Sequence, residues 1–182
     1  MLDTRRRIVI AALIALALAA AGCSDIDPFD STSTAAPSRH RPDDANDADV
    51  EFLKDMIDHL QSGKALTSAA LDSRSNAGDD VATLAAHVED EDAGRVDKMT
   101  ELLDIWGETT APTVGAEPVG VLFGLKGPEF DRQWTALMLA HHAQAEDLAK
   151  RVKRNGSSRA VNNLATGMLI DLGFETSRID SV

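Results

Sequence analysis

The chain has 182 residues and a formal net charge of −12, with 4% aromatic residues, no Tyr and a single Cys. An acidic surface of this kind repels nucleic acid and anionic lipid head groups, so the composition argues against nucleic-acid binding. One Cys excludes an intramolecular disulfide. The abundance of Ala, Leu, Asp and Glu favours helices over a sheet.

The first 22 residues have the pattern of a bacterial export signal. Three arginines at 5–7 precede an unbroken apolar run at 8–21, which is shorter than the roughly 20 residues that span a bilayer. The run ends in Ala-Ala-Gly-Cys at 20–23, which is similar to the lipobox of bacterial lipoproteins. We therefore expect residues 1–22 to be removed and Cys23 to carry a lipid. A twin-arginine signal and a stray thiol that is lost with the signal are the weaker alternatives.

The expected lipid would hold the chain on the outer face of the bacterial cell membrane, in the cell envelope. Segment 23–48 continues from the lipidated Cys and is rich in Asp, Ser, Thr, Pro and Ala. Such a composition buries too little apolar surface to offset the entropy of ordering, so it predicts a flexible tether. The remaining residues, 49–182, have the size of one domain.

Apolar residues recur at helical spacing in four segments of this domain. The predicted helices are 49–71, 79–106, 128–154 and 158–179. Gly107 can end the second helix, and a segment with two prolines and several glycines, 109–127, predicts a loop before Pro128. Met99, Met168, Trp106 and Trp134 are predicted to pack in the core. Four helices joined in this order predict an all-α four-helix bundle.

The first and third helices repeat a pattern with a period of about 80 residues. Asp, an aromatic residue, Met and His keep the same spacing in both copies (Asp49, Phe52, Met56, His59 and Asp131, Trp134, Met138, His141). The second and fourth helices share Val-x-x-Leu-Ala, beginning at Val81 and Val161. The bundle is therefore predicted to consist of two repeated helical hairpins.

These motifs resemble those of the bacterial domain of unknown function 305 family. The strongest match is Met138-x-x-His141-His142, and Trp106-Gly107 closes the second helix as in the family. The resemblance implies a ferritin-like fold and an exported, often lipid-anchored protein. Because some relatives bind copper outside the cytoplasm through Met and His, it also implies a metal role, chiefly for copper.

The chain departs from the family pattern at four positions. Leu60 stands where the first hairpin would have its second His. The family's Gln and Glu that follow Val-x-x-Leu-Ala become Asp92 and Arg95 in the first half; in the second half the Gln becomes Leu172, and the Glu is kept as Glu175. The two halves therefore carry different polar residues.

The candidate metal ligands are Met138, His141 and His142 from the third helix, with Met56 and His59 from the first. Thioether and imidazole groups suit copper better than Mg²⁺ or Ca²⁺. Glu146, four residues after His142, is expected on the same face. The alternative interpretation is that the methionines fill the core and the histidines form hydrogen bonds inside the bundle. In that case the protein is a non-catalytic helical interaction domain with a degenerate metal site and a protein partner.

No motif in the sequence indicates an enzyme. Glu-x-x-His, Gly-x-Ser-x-Gly and a phosphate-binding Gly-rich loop do not occur, and the one Cys lies at the predicted cleavage site. The acidic run 89–92 next to His87 is expected to be a solvated helix face.

Overall fold

Four α-helices and one turn of 3₁₀ helix form the regular structure of residues 39–110 and 119–182, which are the residues that the computed structural model describes. The helices are α1 (Asp47–Leu71), α2 (Asp79–Trp106), α3 (Pro128–Asn155) and α4 (Arg159–Ile179), and the 3₁₀ turn is Val119–Leu122. The described residues contain no strand, so the all-α prediction is confirmed. The predicted signal, Cys23 and the first part of the predicted tether lie outside these residues.

Local capping explains where the helices begin and end. The Asn46 side chain accepts a hydrogen bond from the Asp49 N–H, and the Asp49 carboxylate accepts one from the Asn46 N–H, which closes a capping box at α1. Ser158 caps α4 by accepting from the Val161 N–H. Gly107 ends α2 with a φ of 74°, a left-handed conformation that Gly adopts without steric cost. All four helices lie within two residues of their predicted bounds.

The last residues of the predicted tether pack against the helices. The His40 N–H donates to the Ile105 carbonyl at 3.1 Å, and Arg39 forms an ion pair with Asp104 at 3.2 Å. Asn46 Nδ2 donates to the carbonyl of Asn155 at 2.9 Å. Residues 39–48, the last part of the predicted tether, therefore contact α2 and the end of α3.

The helices are arranged around the contact between α1 and α3. Helix α1 packs against α2 and α3, and α3 packs against α4, while α2 and α4 touch each other little. The start of α1 meets the end of α3 through Asn46 and Asn155, so these two helices are antiparallel. Among the described helices, none combines the length and the apolar composition that crossing a bilayer would require.

Two apolar clusters fill the bundle, one towards each end. The first includes Phe52, Leu53, Met56, Met99, Trp106 and Met168. The second includes Leu66, Leu84, Phe130, Trp134, Met138 and Ile179. Between them lies a layer of buried polar side chains, formed by Arg95, His141, His142 and Glu175. The sequence repeat thus encloses a polar centre between two apolar ends.

Aspartates at equivalent positions of the repeat tie the two hairpins together. Asp49 of α1 accepts hydrogen bonds at Oδ2 from the N–H groups of Ser157 and Ser158, both at 3.0 Å, where α4 begins. Asp131 of α3 accepts from the N–H of Gly78, at 3.1 and 3.2 Å, where α2 begins. Each hairpin therefore supplies the carboxylate that stabilises the start of the other hairpin's second helix.

The close approach of Asp49 to the α3–α4 turn requires Gly at position 156. A Cβ at Gly156 would lie 2.3 Å from Asp49 Oδ1 and 2.7 Å from Val152 Cγ2. Gly156→Ala should therefore lower the free energy of unfolding by about 1–3 kcal/mol, because the buried carboxylate must shift. Urea denaturation monitored by circular dichroism measures the change.

Gly173→Ala is the matched control, since a Cβ at Gly173 meets no atom within 4 Å. This helix-interior substitution should raise the free energy of unfolding by about 1 kcal/mol. Equal effects of the two substitutions would contradict the assigned contact.

Candidate metal centre

Two of the predicted ligands, His59 of α1 and His141 of α3, meet at the centre of the bundle. Their ring centroids are 3.9 Å apart and the ring planes differ by 15°, so the imidazoles stack. The two residues occupy equivalent positions of the sequence repeat. The packing of α1 against α3 therefore brings the two copies of one sequence position into direct contact.

Gly63 makes this contact possible. A Cβ on Gly63 would lie 2.4 Å from Nε2 and 2.6 Å from Cε1 of His141. Since α1 carries no side chain at this position, the imidazole of His141 can lie directly against its backbone. Gly63 lies one turn after His59, on the same helix face, so α1 supplies both the partner ring and the space for His141.

Hydrogen bonding and burial determine which forms these rings adopt. His59 Nε2 lies 3.1 Å from the carbonyl oxygen of His141. A carbonyl can only accept, so Nε2 of His59 carries the hydrogen and donates it. Burial, together with the nearby His142, lowers the pKa of His141 to about 4. His141 is therefore a neutral imidazole at pH 7, the form that binds metals.

His142 is held by groups of the protein. Its Nδ1 donates to the carbonyl of Met138 at 3.0 Å, and its Nε2 lies 2.7 Å from Glu175 Oε2 of α4. A metal at Nε2 would have to displace Glu175. Glu146, one turn after His142, is 30% exposed and forms its ion pair with Lys150 instead of with His142.

Glu175 belongs to a buried chain of charges that the sequence analysis did not predict. Arg95 of α2 donates through Nη2 to Glu175 Oε1 and through Nη1 to Asp92 Oδ1, both at 2.9 Å. The side chain of Arg95 is 5% exposed, that of Glu175 is 4% exposed and that of Asp92 is 14% exposed. A guanidinium is this deeply buried only when carboxylates surround it.

The sequence contained a signal for this chain of charges. Asp92 follows Val88 by four residues and Arg95 precedes Met99 by four, so both lie on the apolar stripe of α2. The expectation that the run 89–92 is fully solvated is therefore wrong for Asp92. A charged residue on a buried stripe indicates a partner from another helix.

Burial and neighbouring charges shift the pKa values of the two buried carboxylates, Asp92 and Glu175, in opposite directions. Burial raises the pKa of Asp92 to about 6, although Arg95 acts to lower it. Burial also acts to raise the pKa of Glu175, but the hydrogen bond from His142 and the charge of Arg95 outweigh it, so the pKa is lowered. Glu175 is therefore the ionised partner of Arg95, and Asp92 the carboxyl that is protonated first.

The two candidate methionines lie on different sides of the polar layer. Met56 belongs to the first apolar cluster and Met138 to the second, and both are fully buried. Among the described residues, no group of three or more His, Cys, Asp or Glu side chains is arranged to hold a metal ion. Because the rings of His59 and His141 are nearly parallel, their in-plane lone pairs do not point at one ion. A shared metal would require one ring to rotate.

The residue types nevertheless suit a soft metal. Imidazole and thioether groups bind copper well, and apolar surroundings exclude the water that would compete for it. His59 lies next to His141, and His142 is bonded to Glu175. Met56 and Met138 lie one helical turn before His59 and His141 on α1 and α3. Metal binding by these five residues stays a prediction.

Comparison with known proteins gives one family and several solved structures. The sequence matches the family profile described as "Domain of unknown function (DUF305)" at residues 49–120 and 114–181. A DUF305 fragment from Deinococcus radiodurans is similar in structure, with 21% identity, a TM-score of 0.67, and coverage of 75% of this chain and 95% of that one. No curated protein matches the sequence.

Solved forms of a protein named CopM also share the fold. CopM in the Cu(I)-bound form has 20% identity and a TM-score of 0.64, and the match covers 73% of this chain and 93% of that one. The silver-bound form obtained by soaking has 19% identity and a TM-score of 0.60, with coverage of 73% and 92%. At these identities the comparison shows a common four-helix fold.

The raised pKa of Asp92 makes stability depend on pH. The folded state holds the Asp92 proton more tightly than the unfolded chain, whose ordinary value is 3.8. This residue therefore stabilises the fold as pH falls from about 6 towards 3.8, and destabilises it as pH rises. As pH falls from 7 to 4, the free energy of unfolding of the native chain should rise by up to about 3 kcal/mol relative to that of Asp92→Asn.

Urea denaturation of the native protein and of Asp92→Asn at several pH values measures this change in the free energy of unfolding. Asp90→Asn is the control, because Asp90 is exposed and its substitution removes a negative charge outside the group of buried charges. A constant difference between the native chain and Asp92→Asn from pH 7 to pH 4 would refute the shift.

Proposed function

The chain belongs to the DUF305 family, and we propose that it binds copper between α1 and α3 through histidine and methionine side chains. The observation that carries the proposal is the contact of the partly buried His59 with the buried His141, whose ring centroids are 3.9 Å apart. Two imidazoles from different helices at this distance need only a rotation to present two nitrogens to one ion.

The protein's own groups prepare this site for a soft metal. His59 Nε2 donates to the His141 carbonyl, which holds the ring of His59 against that of His141. His141 stays neutral because burial lowers its pKa to about 4. Met56 precedes His59 by three residues, and Met138 precedes His141 by three, so each histidine has a thioether one turn away on its own helix. Copper would supply an ion that prefers these nitrogen and sulfur donors.

The site is asymmetric because the two hairpins differ next to their histidines. His142 follows His141, whereas the equivalent position after His59 is Leu60, which is buried in the first apolar cluster. Glu175 holds His142, so we assign His59 and His141 as the primary nitrogen ligands and His142 as a residue that must first leave Glu175. The methionines are assigned as the sulfur ligands.

The fold comparison supports copper as the metal. Solved structures that share this fold include CopM bound to Cu(I), to Cu(II) and to Ag. Cu(I) and Ag(I) are both soft ions that prefer sulfur and nitrogen donors. The same donor types lie at the centre of this chain.

An anaerobic Cu(I) titration against a competing chelator tests the proposal. Since a free Cys23 thiol would itself bind Cu(I), the full chain is used with Cys23→Ser, in mild detergent. We expect one tightly bound Cu(I) per chain. His59→Ala and Met138→Leu should each weaken binding by more than the roughly 10–100-fold that loss of an outer-shell partner costs.

His87→Ala and Met99→Leu are the matched controls, because His87 is exposed on α2 and Met99 is a buried methionine of the first apolar cluster. Both should bind Cu(I) as the parent chain does. If the parent chain binds Cu(I) no better than the urea-unfolded chain, or if the controls lose as much affinity as the site variants, the interhelical copper site is ruled out.

The alternative function, a non-catalytic helical interaction domain with a degenerate metal site, is supported by a different surface. Ile170 and Phe174 are 56% and 69% exposed and lie one turn apart on α4. Exposed apolar side chains that adjoin a groove are typical of protein-binding surfaces. This alternative does not require a metal and is compatible with one.

The proposal includes anchoring of the chain through Cys23 to the outer face of the bacterial cell membrane. It is supported by the apolar run 8–21 that ends in Ala-Ala-Gly-Cys. Cells fed labelled palmitate should label the native chain but not Cys23→Ser, with Ser24→Ala as the control. Native protein should stay in membranes after a high-salt wash and be cleaved by protease added to spheroplasts. Equal labelling of native chain and Cys23→Ser would overturn the anchor.

A further inference from the structure

A groove separates α2 from α4 on the side of the bundle away from the stacked histidines. It encloses about 610 Å³ and is lined by both helices. Gly94 of α2 and Gly167 of α4 lie in it, and a Cβ on either would meet no atom within 4 Å. The groove is therefore open to an incoming chain along its middle.

Carboxylates dominate the walls of this α2–α4 groove. Asp90, Glu91 and Asp97 line it from α2, and Asp171 lines it from α4, against two cationic side chains, Lys98 and Arg95. Asp90 and Asp97 are exposed, and the side chains of Glu91 and Asp171 are 45% and 52% exposed. Their charges face solvent and attract a cationic partner.

The groove already holds one guanidinium, that of Arg95 at its base. Nη2 of Arg95 lies 3.6 Å from Asp171 Oδ2 of α4 and 3.9 Å from Glu91 Oε2 of α2. Its shorter bonds go inward, to Glu175 and Asp92 at 2.9 Å. Arg95 therefore shows that carboxylates of both helices can surround an arginine here. Its own charge is balanced by Glu175 and Asp92 inside the bundle.

Exposed apolar side chains lie on α2 and α4 outside the set of residues that line the groove. Phe174 and Ile170 are 69% and 56% exposed on α4, and Ile105 is 52% exposed on α2. Ile105 follows Gly94 by three helical turns, and Phe174 follows Gly167 by two, so both lie on the face of their helix that contains the glycine. Because α2 and α4 begin at opposite ends of the bundle, Ile105 lies at one end and Phe174 at the other.

We propose that the α2–α4 groove is a docking surface for a basic amphipathic segment of a partner protein. The acidic walls match arginine or lysine side chains of the partner, and the exposed apolar residues match apolar side chains on its opposite stripe. A second copy of the chain is a less suitable occupant, because its net charge of −12 repels the same acidic surface. The surface is independent of the copper proposal, since it lies on the other side of Arg95.

A synthetic peptide tests the surface directly. The probe has about 14 residues, or roughly 21 Å as a helix, with leucines at helical spacing and arginines between them. It is titrated into the isotope-labelled full chain with Cys23→Ser, in mild detergent and a metal chelator, and amide NMR shifts are recorded. Saturable one-to-one binding with shifts confined to α2 and α4 is expected. Peptides with Glu for Arg, or Ser for Leu, should not bind.

Matched variants locate the site on the chain. Phe174→Ser should weaken binding about tenfold, whereas Phe123→Ser, at a phenylalanine that is 81% exposed in the loop after the 3₁₀ turn, should leave it unchanged. Asp97→Asn combined with Asp171→Asn should also weaken it about tenfold, with Asp147→Asn on α3 as the exposed control.

Three outcomes would overturn the proposal. The first is equal binding by the groove variants and the controls, and the second is equal binding of the acidic peptide. The third concerns the basic stretch of the chain itself, 150–154. If sedimentation shows concentration-dependent self-association that Phe174→Ser abolishes, the groove receives a second copy instead of a partner.

Discussion

The burial of Arg95 is the constraint on which the centre of this bundle depends. A guanidinium 5% exposed would cost several kcal/mol if it were unpaired, so carboxylates must reach it from its surroundings. Asp92 supplies one from the same helix and Glu175 supplies the other from α4. Glu175 then holds His142 of α3. One buried cation thereby fixes three helices relative to one another and separates the two apolar clusters.

The repeat of the helical hairpin explains which residues contact each other, and the sequence differences between the two copies explain which interactions they form. His59 contacts His141, and Arg95 contacts Glu175, which occupy equivalent positions of the two hairpins. Identical residues at such a position give a stacked pair, whereas residues of opposite charge give an ion pair. The exchanged caps at Asp49 and Asp131 follow the same repeat. The centre is thus symmetric in backbone and asymmetric in chemistry.

Arg95 also connects the inner and outer surfaces of the bundle. Its inward bonds hold Glu175, which is bonded to His142, and its outward contacts reach Glu91 and Asp171 in the α2–α4 groove. Cations that enter the groove would therefore compete with Arg95 for Glu91 and Asp171. Arg95 lies between the proposed copper site and the proposed docking surface and belongs to the ligands of neither.

The sequence by itself determined the four helices and their core, because burial on one face of a helix follows a local period of 3.6 residues. Met99, Met168 and Trp134 were assigned to the core on that ground, and all are buried. It also indicated that the two copies of the Met-x-x-His pattern belong together. The contacts of residues 39–48 do not follow from a local pattern, since they depend on Ile105 and Asn155 from distant parts of the chain.

Only the tertiary structure decided which group each polar side chain reaches. Spacing along α3 predicts Glu146 on the same helix face as His142, but the carboxylate that bonds to His142 is Glu175 of α4. Spacing along α2 placed Arg95 on a buried stripe without naming its partner. A helix period states which residues share a face, whereas the distance between two faces is set by packing. That is why the stacked histidines and the buried charges could be identified only in the folded chain.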